Sequence, residues 1–192
     1  MKSTRPLVGI VLVDKPSGLT SNQVLQRAKR LFRARKAGHT GTLDPMATGM
    51  LPVCFGAATK VSGMMLDSRK RYRVTATFGT ATDTGDATGT VTETCDKSPP
   101  APEAVRSAVT ARRGQSLQVP PMYSAVKHQG RRLYELARQG AEVRREPREI
   151  EIFELTIEAF DWPDLALGIH CSKGTYVRTV ITDIAAALGT VA

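Results

Sequence analysis

Apolar residues recur along the chain with two spacings. Residues 8–13 form an almost unbroken apolar run and predict a buried strand. Tyr72, Val74, Ala76 and Phe78 alternate with polar residues, as do Leu165, Leu167, Ile169 and Cys171, so both stretches predict half-buried strands. Residues 148–160 read as a longer strand whose inward face shifts between Ile152 and Phe153, which predicts a bulge. Helical spacing appears at Val24, Leu25, Ala28, Leu31 and Phe32, behind a Thr20/Gln23 pair with the spacing of a capping box. Further helices are predicted at 57–66, with Val61, Met64 and Met65 inward, at 104–112, at 131–139 with Gly140 closing it, and from Thr175. In the last, Val177, Val180, Ile181, Ile184 and Leu188 are apolar.

Residues 50–55 are mostly apolar, 79–89 read as a turn-rich loop, and 90–94 as a partner strand. The prolines make 96–102 a connection and 119–123 extended, because each disfavours helix at the residue before it. Helices and strands alternate irregularly and without repeats. That predicts an α+β fold, a mixed, largely antiparallel sheet flanked by helices.

Charge adds a partner class. Twenty-seven Lys and Arg against 18 Asp and Glu give a net charge of +9, a common footprint of polyanion binding. Six cations lie between Arg27 and Lys36, and the segment 114–146 carries another basic cluster. The apolar runs are far too short to span a bilayer, and the basic N-terminus lacks a cleavage site, so it reads as leading into a strand and not as a signal peptide. Cys54, Cys95 and Cys171 are odd in number and scattered, as are His39, His128 and His170. Neither set predicts a disulfide framework or a metal site, and a reducing cytoplasm fits.

The candidate chemistry centres on GHTGTLDPMATG, residues 38–49, where Asp44 is the only carboxylate among glycines, small residues and a proline. Taken alone, Asp-Pro is also an ordinary helix-start signal. Phosphate-binding and dinucleotide-binding glycine motifs are absent, and DTGDATG at 83–89 lacks the ligand register of a calcium loop.

These residues carry a resemblance to a known family. GHTGTLDPMATG resembles the signature of the tRNA pseudouridine synthase B (TruB) family. So do VDKPSG at 13–18, KRYRV at 70–74, DTGD at 83–86, VPPMYSAVK at 119–127 and CSKGTYVR at 171–178, in the family's order. The resemblance implies a pseudouridine synthase fold. It implies an isomerase that converts the T-loop uridine of tRNA to pseudouridine, with no metal and no organic cofactor. Asp44 is then the essential carboxylate, Arg178 its ion-pair partner, and Tyr72 the residue stacked on the flipped uracil. Tyr176 and His39 contact the substrate, and Lys15 with Pro16 supports the loop.

Attack at C1′, attack at C6 and a glycal route all stay open. The two basic clusters are candidates for phosphate contacts, and 114–146 resembles an insertion that closes over the RNA and orders on binding. Members of the family usually continue past the point where this chain stops. The expectation is therefore one catalytic domain over 1–192, incomplete at its C-terminus, acting as a cytoplasmic monomer on the tRNA T stem-loop. The competing reading is a non-catalytic RNA binder or tRNA folding helper; a hydrolase would need a second carboxylate.

Overall fold

The computed structural model describes residues 6–192, which divide into two compact units between Ser68 and Arg69. The first unit holds a three-stranded sheet of β1 (Gly9–Lys15), β2 (Ala37–His39) and β3 (Gly49–Phe55), in the order β1-β3-β2. Its helix α1 (Ser21–Leu31) starts at the predicted capping box. Thr20 Oγ1 accepts from Gln23 N at 3.1 Å, and Gln23 Oε1 accepts from Thr20 N at 2.8 Å. Leu25 and Ala28 pack on Val53, Phe55, Val11 and Val13.

Two expectations fail here. Strand β1 is half-buried and not buried on both faces: Val11 and Val13 face the core, while Val8, Ile10 and Leu12 are exposed. Leu31, predicted inward, is 79% exposed at the last position of α1, while Ala34 beyond it returns to the core. A 3-10 turn over Gly56–Val61 and α2 (Ser62–Leu66) replace the single predicted helix, and Val61 and Met64 lie outward.

The second unit is built on an antiparallel sheet in the order β4-β11-β10-β7. Its strands are β4 (Lys70–Thr77), β7 (Gly114–Gln118), β10 (Arg148–Asp161) and β11 (Asp164–Cys171). One face is apolar. Leu165, Leu167, Ile169 and Cys171 are all at most 2% exposed. They pack with α3 (Pro102–Thr110) and α5 (Val177–Ala187) through Val105, Val109, Val180 and Ile184. Each such side chain, fully removed from water, contributes roughly 1.5–3 kcal/mol.

The opposite face is charged, with Arg71 bound to Glu154 and Arg73 to Glu158, both at 2.8 Å. The predicted bulge is present: Ile152 faces Cys171 and Glu154 faces His170, so Phe153 is the extra residue. A second bulge, which the pattern did not disclose, lies between Ile157 and Ala159.

Two short hairpins complete this unit, β5 (Thr80–Thr82) with β6 (Val91–Thr94), and β8 (Lys127–His128) with β9 (Arg131–Arg132). The partner strand expected at 90–94 is thus present, and its partner is Thr80–Thr82 within the predicted loop. The helix predicted at 131–139 shrinks to α4 (Leu133–Ala137), since Arg131 and Arg132 are taken by the hairpin. All strand pairings among the described residues are antiparallel.

Candidate active site

Three predicted site residues, Lys15, His39 and Asp44, belong to the first unit, and three, Tyr72, Tyr176 and Arg178, to the second. In the first unit the Asp44 loop follows β2 and is fastened at both ends of its acidic turn. Ser21 Oγ, at the start of α1, accepts from Leu43 N at 2.9 Å and donates to Leu43 O at 3.2 Å. Pro45 O accepts from Gly18 N at 2.8 Å and from Lys15 Nζ at 3.1 Å. Asp44 O accepts from Ala47 N at 3.1 Å, closing a turn. The half-buried Asp44 side chain therefore sits between two anchored neighbours.

Lys15 is 0% exposed and also donates to Pro16 O at 3.0 Å and Leu19 O at 2.7 Å. Burial pushes its ammonium below the usual lysine value, and the Asp44 charge pulls it back up. The geometry makes Lys15 a brace for the loop. His39 is half-buried on β2 opposite Val53.

In the second unit Tyr72 lies half-buried on β4, opposite Ile169. Tyr176 precedes α5, and its backbone is gripped by Gln118, which accepts from Tyr176 N at 2.8 Å and donates to Tyr176 O at 3.1 Å. That two-sided amide contact fixes the start of α5, and hence Arg178 in its first turn. Sequence reasoning missed Gln118, whose only signal is its position at the end of a short strand.

Arg178 donates from Nη1 to Thr84 O and from Nη2 to Tyr123 O, at 2.5 and 2.8 Å. Two motifs without an assigned role, DTGD and VPPMY, thus meet at this guanidinium. Tyr123 OH adds a 3.1 Å bond to Asp83 Oδ2, and Asp83 Oδ1 accepts from Thr90 N at 2.8 Å. The bond to Asp83 and burial hold the Tyr123 phenol above its usual value.

Asp86 completes the loop by accepting from Thr84 Oγ1, Thr88 N and Thr88 Oγ1 at 2.6–2.9 Å. Burial raises its carboxyl, but the Thr88 and Thr84 bonds and the Arg178 charge outweigh this and hold it below 3.8. The depressed value means the loop is stabilised above about pH 3.8, and that this stability is lost as pH falls through the lower folded value. Thr88 amide exchange, corrected for its intrinsic pH dependence, should accelerate across that acid window and not between pH 5 and 7.

Residues 29–177 match the family model described as TruB family pseudouridylate synthase (N terminal domain). Relatives described as tRNA pseudouridine synthase B include those of Vibrio vulnificus strain YJ016, 51% identical over 96% of this chain, and Haemophilus influenzae strain PittEE, 53% over 98%. That of Yersinia pestis strain Pestoides F is 54% identical over 96%. The chain spans 57–61% of the length of these three relatives.

Among solved structures, a Cbf5-Nop10-Gar1 complex matches 98% of this chain and 51% of its own, with a TM-score of 0.71 at 24% identity. An H/ACA RNP bound to a substrate RNA containing 2'-deoxyuridine matches 95% and 44%, with a TM-score of 0.69 at 22% identity. At these identities the likeness is one of fold.

Proposed function

Since the chain belongs to the TruB family of pseudouridylate synthases, we propose that it isomerises the T-loop uridine of tRNA to pseudouridine, with Asp44 as the essential carboxylate. The observation that carries this reading is the lone aspartate of a family motif held in a turn whose two neighbours are both fastened to the scaffold. Relatives more than half identical are described as tRNA pseudouridine synthase B, which supports tRNA as the substrate.

One carboxylate is enough for this chemistry. The N1–C1′ bond breaks, the uracil turns, C5 bonds to C1′ and loses its proton, and N1 takes one up, so the detached base is its own returning nucleophile. A retaining glycosidase needs a second carboxyl group because water has to be activated and a leaving group protonated. An isomerase must instead hold the base and exclude water. We assign Tyr72 to stack on the uracil, since its ring offers a flat apolar face with a polar tip. Arg178, with two donors committed to carbonyls, is the preset counter-charge; Tyr176 and His39 contact the nucleotide. The uridine must first leave its stack, which costs a few kcal/mol.

The test is pseudouridine formation in an unmodified tRNA transcript by the 192-residue chain. One pseudouridine at the T-loop uridine is expected. RNA binding without product would favour the binding-module reading instead.

A further inference from the structure

Ion pairing is uneven along the chain. In the second unit Arg71, Arg73, Arg106, Arg112, Arg144 and Arg145 all lie against carboxylates. In the first unit Arg27, Lys29, Arg30, Arg33, Arg35 and Lys36 line the second half of α1 and its exit, and the sequence has no acid between Asp14 and Asp44. Among the described residues, none of these six takes part in an ion pair.

The helix dipole accounts for part of this cluster only. It favours cations in the last turn, which explains Lys29 and Arg30, and its effect fades beyond that turn. Arg33, Arg35 and Lys36 lie past the end. Arg33 also occupies a position where an arginine is unexpected. Arg33 N donates to Arg30 O at 3.1 Å and Ala34 N to Lys29 O at 3.0 Å, the bonding of a Schellman motif. The residue at that corner has φ +52°, left-handed backbone that favours glycine. A long cation stands there, among five others, against both backbone preference and mutual repulsion.

We propose that the C-terminal half of α1 and its exit form a docking surface for the phosphate backbone of RNA, outside the Asp44 loop. The proposal rests on the reading of this chain as an RNA-modifying enzyme. Ser21, at the start of α1, holds the Asp44 loop, and the helix is about 16 Å long. The surface therefore contacts phosphates well away from the reacting nucleotide. An anionic membrane suits it less, because α1 buries Val24, Leu25 and Ala28 in its own unit and leaves only Leu31 of its apolar face exposed.

The test measures binding of an unmodified tRNA transcript across a salt series. The parent chain is compared with the triple variant Arg30→Gln, Arg33→Gly, Arg35→Gln and with the control Arg71→Gln, Arg73→Gln. Each lost phosphate contact lowers the slope of log affinity against log salt by about 0.7–0.9. The triple variant should lose about 2 to 3 in slope and bind at least about tenfold more weakly at low salt. Its melting temperature should be unchanged or higher, since strain and repulsion are both relieved. The control should keep the parent's slope.

A triple variant with the parent's slope overturns the surface and leaves the isomerase reading standing. A parent chain that binds no transcript overturns both. Preferential binding of the parent to phosphatidylserine vesicles over the transcript overturns the assignment to RNA.

Discussion

Replacing Asp44 with asparagine is expected to abolish pseudouridine formation, with a single-turnover rate at least about a thousandfold below the parent's, roughly 4 kcal/mol of barrier. Asparagine matches aspartate in size, and the loop is held through its neighbours: Leu43 by Ser21, and Pro45 by Gly18 and Lys15. The variant should therefore fold and bind tRNA with nearly the parent's affinity. What it loses is the charge, and an amide cannot replace a carboxylate that attacks carbon or supports a cationic sugar. A variant rate within tenfold of the parent's would remove Asp44 from the chemistry.

The largest structural effect is expected from Lys15→Met. Methionine fills similar space but donates no hydrogen bond, so Pro16 O and Leu19 O lose the Lys15 ammonium, while Pro45 O keeps Gly18 N. Leaving these part-buried carbonyls without their donor costs up to roughly 1–3 kcal/mol each, and removing a buried charge returns part of this. A net loss of about 2–4 kcal/mol is expected in urea unfolding. A loss below about 1 kcal/mol would show that the burial penalty of the charge cancels its bonds.

Lys15 also leaves a pH signature. Its folded value is lowered from 10.5, so between the two values the unfolded chain binds more protons. Stability in the parent therefore gains a rising contribution as pH climbs from the lowered value towards 10.5, and Lys15→Met should lack it.

What the sequence disclosed followed from local rules. The capping box at Thr20, the alternation at Leu165 to Cys171 and the bulge at Phe153 depend on neighbouring residues, and all three are present. Pairing depends on residues outside the local pattern, so strand β5 inside a supposed loop was hidden, as was the short strand β7. Leu31 and Met64 were misplaced because helical spacing marks a face without showing whether anything covers it. The site divides in the same way. The Asp44 motif stood out by composition, whereas Gln118 and Ser21 each act through a pair of hydrogen bonds to distant backbone that no spacing encodes.

The two bulges of β10 also bear on self-association. Pairing with β7 ends at Ile152, and beyond it β10 continues to Asp161 with β11 as its partner. A long, flat strand edge of this kind would be a template for a neighbouring chain. Here an extra residue interrupts the ladder at Phe153 and again after Ile157, and each bulge increases the local twist. Between them, Leu155 O is already occupied by Arg113, which donates from Nε at 3.2 Å and from Nη2 at 2.6 Å. An incoming strand would meet a twisted, out-of-step edge with one acceptor taken by a charged group, a poor seed for fibrous growth.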